Sequence, residues 1–559
     1  MAKYVLVADT SLIYTFRDFP LLDFLPSAPR AAVPGPIYRF LRGKNPGTFP
    51  DGQLLHAPYS IRKLEAILLQ RHPASEIAVT DINNVGKFVD NDTELIGIST
   101  MDPFGIGPLT MSYAALFGGD FYAWVRSEWE ELVQKVNRVR KGKKAKLIVG
   151  GPGVWEFTVL RDEFERLNID YAVQGETDDV LNELFDQILS GNVDTKMFKV
   201  GYNTFDNNFR MNEVHDEKFL ARTSYGAYPP LDKIPTIVHP STKSMVEIMR
   251  GCGVGCDFCE VTLRPLRYYT LDMIRKEVEV NIREGGTHKA WLHSDEFFGY
   301  KHGQFFVPNE DALAELMTSV MSIKGVTNSN PTHGRISIPA GYPELMEKLS
   351  NIMHAGPRNW IGVQTGLETG SDELARKHMP AKTLPLKIGP DGSWQEIVWK
   401  GVQVMTKYYW RPAFTVQVGQ EGETDEDNWD TVALINRLSN SYIDGRPFEF
   451  TVTPMLNVPL GRIKSRQLNR GMLNPAMLAV YYASYRHLSK MASRDAGDES
   501  KGNPATRMAI TGVMNLGGFG MMKFIEGVAK KGGVDIEKAK VWGIEHKNHL
   551  ESMTEVMNA

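Results

Sequence analysis

All three cysteines of the chain lie in one short segment, Cys252-Gly-Val-Gly-Cys256-Asp-Phe-Cys259. An odd number of thiols separated by such short loops cannot build a disulfide framework. Three thiolates at this spacing suit one face of an iron–sulfur cube, in which three irons take cysteine and the fourth stays open for another ligand. A structural zinc site completed by His239 or His293 is the alternative, but zinc sites more often carry paired knuckles and no second pair exists. The spacing favours an iron–sulfur cluster.

Further polar groups follow apolar runs in the middle of the chain. Asp295 and Glu296 come directly after the run Lys289–Ser294, where a pair of acids complements the dipole of a following helix. The segment 366–372 contains Glu368, and a carboxylate accepts well from two hydroxyl groups. The segment 419–424 is a glycine-containing turn whose Thr424 is a candidate helix cap. These segments are candidate binding loops.

The alternation of apolar runs and helical segments predicts six β/α units from about residue 240 to 465, which is a partial, open barrel. Catalytic groups lie at the carboxyl ends of barrel strands, where the cysteine loop would then sit. The six predicted strands are Val246–Met249, Lys289–Ser294, Arg335–Ile338, Trp360–Gln364, Phe414–Val418 and Glu449–Thr453.

Residues 1–190 also alternate between strands and helices, and continuous apolar strands predict a doubly wound parallel sheet. Ligands of such sheets bind beyond the carboxyl ends of the strands. The strand-end loops here are rich in small and polar residues, and the candidate ligand-binding residues are Asp81, Asn83, Gly86, Ser99, Met101, Gly150, Gly151, Gly175 and Glu176. Residues 11–60 form a proline- and aromatic-rich insertion that could cover a ligand.

The cysteine segment, with the aromatic Phe258 before its last cysteine, resembles the radical S-adenosylmethionine enzymes. The resemblance implies a 4Fe–4S cluster on Cys252, Cys256 and Cys259, with S-adenosylmethionine chelating the open iron. The resemblance places Phe258 near S-adenosylmethionine and assigns Asp295 and Glu296 to its methionyl amine. It assigns Glu368 and Ser371 to the ribose hydroxyls and the methionyl carboxylate, and it places Gln420 beside the adenine.

The N-terminal loops resemble the cobalamin-binding domain, whose fingerprint is D-x-H-x-x-G, then S-x-L, then G-G. Asn83 stands where the fingerprint has its cobalt-ligating histidine, between Asp81 and Gly86. The resemblance therefore implies base-off cobalamin, carried as methylcobalamin, whose lower cobalt face is unligated or holds water. A generic flavodoxin-like or nucleotide-binding domain is the alternative.

The combination of the two resemblances covers about residues 1–465 and is typical of cobalamin-dependent radical S-adenosylmethionine enzymes. It implies a C-methyltransferase that acts on an unactivated sp3 carbon of a protein, peptide or small molecule, with an external flavodoxin- or ferredoxin-type electron donor. Archaeal members methylate a glutamine carbon of methyl-coenzyme M reductase, which is one candidate substrate. A ring-forming enzyme acting on a lipid or small molecule, and a cobalamin-binding sensor, are the alternatives; a methylthiotransferase needs more cysteines.

Composition excludes several classes of function. The net charge is −4 and the pI about 6.4, so the chain lacks the basic footprint of a nucleic-acid-binding protein. No long apolar run predicts a membrane span or a signal peptide, and scarce cysteine fits a reducing cytoplasm.

We expect four segments along the chain: a cobalamin-binding domain over 1–190, an irregular linker over 191–244, the barrel over 245–465, and a helical domain over 466–559. In the last segment the predicted helices are Met477–Arg494, Ala505–Met514 and Met521–Lys530. The stretch 495–503 is predicted to be a loop, and 516–522 a helix-packing turn.

Overall fold

The structure is a computed structural model that describes residues 2–544 except 19, 46, 119–120, 192, 194–195, 201–219, 223–227, 387–392, 459–472 and 500–503. It contains two parallel-sheet domains followed by a helical region.

The first domain is built on a seven-stranded parallel sheet with the strand order β2-β1-β3-β4-β5-β6-β7. The four strands β1 to β4 are predominantly apolar, and their interior positions are buried, as expected where helices cover both faces of a parallel sheet. The strands are β1 (Tyr4–Ala8), β2 (Ile77–Thr80), β3 (Leu95–Ser99), β4 (Lys146–Gly150), β5 (Tyr171–Gly175), β6 (Met197–Val200) and β7 (Leu220–Arg222).

Helices cover both faces of this sheet and create two separate hydrophobic cores. One core contains Ile61 and Leu184, and the other contains Trp129 and Val136. This arrangement confirms the doubly wound α/β fold. The helices are α1 (Thr10–Ile13), α2 (Gly35–Arg42), α3 (Tyr59–Leu68), α4 (Pro108–Phe117), α5 (Trp124–Arg140), α6 (Glu156–Val159), α7 (Asp162–Arg166) and α8 (Leu181–Ser190).

The region 191–244 is not the wholly irregular linker that we expected. Strands β6 and β7 lie within it and extend the sheet by two parallel strands. Both strands are short, with four and three residues, so neither carries a clear local pattern. β6 is a strand because it pairs with the open edge of β5, and β7 because it pairs with β6, which are tertiary effects.

The second domain holds six parallel strands in two three-stranded sheets, ordered β8-β11-β12 and β13-β14-β17. An isolated parallel bridge between His333 and Gln364 joins the two sheets. Among the described residues β8 and β17 do not pair, so the barrel is open between them. The strands are β8 (Met245–Glu247), β11 (Lys289–His293), β12 (Asn328–Pro331), β13 (Ile361–Glu368), β14 (Trp410–Val418) and β17 (Thr451–Leu456).

Helices surround the outside of this partial barrel, which also carries two short antiparallel pairs of strands. The pairs are β9 (Met249–Arg250) with β10 (Arg267–Tyr268), and β15 (Tyr442–Ile443) with β16 (Arg446–Pro447). The helices are α9 (Leu271–Arg283), α10 (Glu310–Met321), α11 (Ser337–Gly341), α12 (Pro343–Ile352), α13 (Asp372–His378), α14 (Trp394–Lys407) and α15 (Asp425–Ser439).

The third barrel strand was predicted at the wrong place. We expected it at Arg335–Ile338, but β12 covers Asn328–Pro331 and the predicted stretch leads into helix α11. The sequence Asn-Ser-Asn-Pro has low strand propensity, and its register against β11 makes it a strand.

The C-terminal region is helical, with α16 (Pro475–Glu499), α17 (Pro504–Lys531) and α18 (Ile536–Val541). Residues 516–522 lie inside α17 rather than in a turn, and α16 runs through most of the predicted loop 495–503, whose remaining residues lie outside the described ones. Each glycine costs a helix about 1 kcal/mol, and packing of α17 along α16 outweighs that cost. No described helix has the length and apolarity needed to cross a membrane.

The two sheet domains meet with their carboxyl edges toward each other. Glu176, which directly follows β5, pairs with Arg250 at 2.8 Å and with Arg267 at 2.7 Å. On the other side of the opening, the Ser112 hydroxyl of α4 accepts a hydrogen bond of 2.7 Å from the backbone N–H of Leu456 at the end of β17. Ligands of both sheets would therefore bind between the two domains.

Candidate active site

The cysteine loop begins where β9 ends, beyond the carboxyl end of the first barrel strand. Gly251, Gly253 and Gly255 all have left-handed backbone conformations, with φ of +80°, +68° and +81°. A Cβ atom on Gly251 would lie 2.6 Å from the Pro265 carbonyl oxygen, so no other residue fits there. The glycines thus allow the tight backbone turns that keep the three thiols within one short loop.

The three thiols are free, and Cys256 is buried. Burial raises the pKa of Cys256 to about 12, and burial likewise raises the pKa of Cys252 and Cys259. These thiols therefore hold their protons in the metal-free chain and would release them on binding a metal.

The side chains do not support the zinc alternative. Within the described part of the chain, no three His, Cys, Asp or Glu side chains are close enough to share one metal ion. His239 Nδ1 lies 3.0 Å from Glu65, and the ring of His293 lies 6.2 Å from that of His333. Thiolates that bind three separate irons of a cube need no such convergence, so the donor set fits a cluster.

The two acidic residues at the end of β11 have different surroundings. Asp295 accepts a 2.7 Å hydrogen bond from the backbone N–H of Gly251 and thereby holds the cysteine loop. Glu296 is buried and pairs with Arg335, whose Nε lies 3.1 Å from its carboxylate. Burial raises the pKa of Glu296, and Arg335 opposes that shift. Asp295 is therefore next to the cluster loop, whereas Glu296 is engaged within the protein.

Glu368 lies at the end of β13 in a strained left-handed conformation, with φ of +64°. The register between β13 and β14 shifts at this point. Its carboxylate accepts hydrogen bonds from Lys382 Nζ at 2.6 Å and from Gln417 at 2.7 Å. A Cβ atom on Gly366 would lie 1.9 Å from this carboxylate, so the glycine makes room for it. Strain held by such contacts is typical of a binding site.

The remaining residues predicted around S-adenosylmethionine have structural contacts of their own. The Ser371 hydroxyl caps α13 by accepting from the Leu374 N–H at 3.3 Å. Gln420 is buried, and its side chain donates to the Glu368 carbonyl oxygen at 3.3 Å. Phe258 packs against the barrel core beside the cysteines. The turn 419–424 ends in a capping box formed by Thr424 and Asp427.

Two residues of this region were missed in the sequence. Lys382 is buried against Glu368, and its charge interacts with Cys256 and Cys259. His378 joins two loops, with Nδ1 2.9 Å from Asp257 and Nε2 2.8 Å from the Glu421 carbonyl oxygen. The only local signal was a cluster of basic residues at 376–382, which is equally typical of a helix C-terminus.

In the N-terminal domain, the loop after β2 is organised by Asp81. Its carboxylate accepts from the backbone N–H groups of Asn83 and Asn84, and from the Asn45 side chain at 2.5 Å. Asn83 itself is exposed, next to Gly86. After β3, Ser99 is buried, and Met101 is 56% exposed although it is apolar.

The glycines of this edge differ in the space around them. A Cβ atom on Gly151 would lie 2.5 Å from the Thr100 carbonyl oxygen, and φ is +98°. Gly151 is thus required for the turn to pack against the end of β3. At Gly150 the nearest atom to a Cβ would be 3.8 Å away. Gly175 also has positive φ and precedes Glu176, which pairs with the barrel arginines.

Comparison with curated proteins finds similarity to two tRNA-2-methylthio-N(6)-dimethylallyladenosine synthases. The protein of Sulfurihydrogenibium sp. (strain YO3AOP1) is 25% identical over 234 residues, which cover 41% of this chain and 47% of that protein. The protein of Chromohalobacter salexigens is 23% identical over 256 residues, with 42% and 49% covered. The chain spans about half the length of the curated relatives it matches.

Two solved structures of the radical S-adenosylmethionine methyltransferase TsrM from Kitasatospora setae are also similar, each at 14% identity with a TM-score of 0.46. One contains cobalamin and a 4Fe–4S cluster and aligns over 82% of this chain and 75% of that chain. The other contains the substrate tryptophan and aza-SAM, an analogue of S-adenosylmethionine, and aligns over 89% of this chain and 77% of that chain.

A family model described as the Radical SAM superfamily matches residues 246–435. That range begins in β8, includes the three cysteines and Glu368, and ends in α15. Through this segment the chain is similar to the Radical SAM superfamily.

Proposed function

We propose that the protein is a cobalamin-dependent radical S-adenosylmethionine methyltransferase that adds a methyl group to an unactivated sp3 carbon. The observation that carries this proposal is the way in which the two sheets face each other. The Arg250–Glu176 contact and the Ser112–Leu456 contact join the carboxyl edge of the first sheet to the carboxyl edge of the barrel. Two cofactors held at these edges would be adjacent.

In the barrel, Cys252, Cys256 and Cys259 would hold the cluster. Asp295, Glu368, Ser371 and Gln420 are the candidate residues around S-adenosylmethionine, with Phe258 beside the loop. Glu368 keeps its carboxylate in place through Lys382 and Gln417. A fixed carboxylate accepts hydrogen bonds from ribose hydroxyls without a cost of reorganisation.

In the N-terminal domain, Asp81, Asn83, Gly86, Ser99, Met101, Gly150, Gly151, Gly175 and Glu176 are the candidate cobalamin residues. The exposed Met101 and the exposed Asn83 fit a surface that a corrin covers. No imidazole occupies the position of Asn83, so base-off cobalamin would have no protein nitrogen from this residue. When bound, the cluster with S-adenosylmethionine supplies a 5′-deoxyadenosyl radical, and cobalamin supplies the methyl group.

The cysteine inventory argues against methylthio transfer, the activity named for the curated relatives. A second cluster needs further thiolates, and the three cysteines of this chain all lie in one loop. A ring-forming reaction without methyl transfer is the competing outcome. A glutamine of methyl-coenzyme M reductase is the first protein substrate to test, with a flavodoxin or ferredoxin as electron donor.

The test is the stoichiometry of the co-products after anaerobic reconstitution. A methyltransferase of this type cleaves one S-adenosylmethionine to 5′-deoxyadenosine and uses another as methyl donor, which leaves as S-adenosylhomocysteine. Both co-products should therefore form in equal amounts with the methylated product. Cys256→Ala should abolish both, because it removes a cluster ligand.

If 5′-deoxyadenosine forms with altered substrate but without S-adenosylhomocysteine or an added methyl group, the methyltransferase proposal is wrong and ring formation is favoured. If neither co-product forms although iron and cobalamin are bound, the chain is a sensor rather than an enzyme.

A further inference from the structure

A cleft of about 710 Å³ lies in the N-terminal domain, between the start of α2, the end of α4 and the start of α5. Small-molecule sites usually have volumes of roughly 300–1,000 Å³. Its walls are parts of 29–31, 35–39, 117–118 and 121–124. None of the candidate residues for the cluster, S-adenosylmethionine or cobalamin lines this cleft, so it is separate from the candidate active site.

The charges that line this cleft all have the same sign. Arg30 and Arg39 are its two charged residues, and no described acidic residue lines it. Both arginine side chains are exposed, so a molecule in the cleft can reach their guanidinium groups. Two positive charges on one concave surface raise the local concentration of anions.

The two guanidinium groups lie beside the same aromatic ring. Arg30 donates to the Ser127 hydroxyl at 3.1 Å, and its guanidinium carbon lies 4.9 Å from the centre of the Trp124 ring. A Cβ atom on Gly35 would lie 3.3 Å from Arg39 Nη1 and 3.5 Å from Trp124 Cη2, so Arg39 also approaches this ring. Like charges held this way are stabilised by a shared anion, and the guanidinium fork matches the oxygens of a phosphate or carboxylate.

Two helices add positive potential at the same place. Helices α2 and α5 begin at Gly35 and Trp124, and both of these residues line the cleft. Among the described residues, no side chain caps the N-terminus of either helix. A helix N-terminus carries about half a positive charge, and its first N–H groups favour an anion. The helix ends therefore reinforce the preference of the arginines.

The remaining wall of the cleft is aromatic. Phe117, Phe121 and Tyr122 line it and are each partly exposed. A flat apolar group can pack on these rings while an attached anionic group contacts the arginines. A phosphate monoester carries about −1.5 to −2 charges at neutral pH, so it matches the two guanidinium groups better than a single carboxylate does.

We propose that this cleft is a second ligand site, which binds a small organic phosphate monoester through Arg30 and Arg39 and packs its ring against Phe117, Phe121 and Tyr122. The proposal is independent of the reaction assigned to the barrel.

Binding can be measured by ligand-observed saturation-transfer NMR on the full chain, with phenyl phosphate as probe and phenol as its uncharged counterpart. Phenyl phosphate should show saturation transfer, and phenol should show much less. Arg30→Gln and Arg39→Gln each remove charge-assisted hydrogen bonds and should weaken the binding roughly tenfold. Arg138→Gln is the matched control, because Arg138 is an exposed arginine of α5 that does not line the cleft.

Thermal unfolding of each variant shows that it is folded. Hydroxocobalamin and S-adenosylhomocysteine should not displace the probe, since no candidate cofactor residue lines the cleft. The proposal is overturned if phenyl phosphate does not bind, if phenol binds equally well, or if either cofactor compound displaces the probe. It is also overturned if inorganic phosphate binds as tightly as phenyl phosphate, if binding survives both substitutions, or if Arg138→Gln weakens it equally.

Discussion

At the scale of single residues, Glu368 and Lys382 form a buried ion pair inside the barrel. Both residues are buried, with exposures of 6% and 7%. Removing one partner of a buried pair costs about 3–5 kcal/mol, because the other charge stays buried alone. We therefore expect Lys382→Met to lower the free energy of unfolding by about 3 kcal/mol in the metal-free chain. Glu368→Gln in the same chain should restore a large part of that loss.

Urea unfolding followed by tryptophan fluorescence measures both changes. Lys530→Met is the control, because its ion pair with Glu526 is exposed to solvent and should contribute little to stability. Equal stability of the single and the double variant would show that the charge of Glu368 is not the cause of the loss.

At the scale of elements, the turn after β4 depends on Gly151. Alanine there would be in a left-handed conformation, which costs about 1–2 kcal/mol, and its Cβ would meet the Thr100 carbonyl oxygen at 2.5 Å. We expect Gly151→Ala to lower the thermal midpoint clearly and Gly150→Ala to change it little, since the Gly150 site has space. Calorimetry of both variants checks this; similar midpoints would contradict it.

The insertion 11–60 is attached to α5 through a titrating contact. Glu128 accepts from the Tyr38 hydroxyl at 2.8 Å and pairs with Arg42. Burial raises its pKa to about 7 from the usual 4.5. Between these values the folded chain holds a proton that the unfolded chain has lost, so the contribution of Glu128 to stability falls as the pH rises.

Glu128→Gln cannot titrate, and its thermal midpoint should rise relative to that of the wild type between about pH 5 and about pH 8. The difference between the thermal midpoints of the two proteins cancels the contributions of the other titrating groups. A pH-independent difference would contradict the raised pKa.

At the scale of the whole molecule, the contact of Glu176 with Arg250 and Arg267 joins the two sheet domains. All three side chains are largely buried, and Asp178 adds a second carboxylate at 2.7 Å from Arg250. We expect Glu176→Gln to loosen this contact even without cofactors. Amide hydrogen exchange should then rise in 250–268 and 171–178 of the cofactor-free chain.

If exchange is unchanged without cofactors and only cobalamin affinity falls, then Glu176 is a cofactor residue, as its sequence position suggested, and not a bridge between domains. Asp186→Asn is a suitable control, because Asp186 is an exposed partner of Arg71 at a distance from the contact.

The sequence by itself determined the features that depend on neighbouring residues. The spacing of Cys252, Cys256 and Cys259 defines a three-thiol loop whatever surrounds it. The apolar runs of β1, β2 and β3 define buried strands. Glu368 was identified because the segment 366–372 resembles a segment of the radical S-adenosylmethionine enzymes. Each of these signals is local, since it depends on the periodicity and spacing of nearby side chains.

Only the tertiary structure decided the features that depend on distant partners. It made strands of β6, β7 and the polar β12, because an open sheet edge supplied hydrogen bonds that their sequences do not signal. It brought Lys382 to Glu368 and His378 between two loops. It also placed the Asp295 carboxylate within hydrogen-bond distance of the Gly251 N–H in the cysteine loop. A carboxylate accepts from whichever donor the fold brings near it.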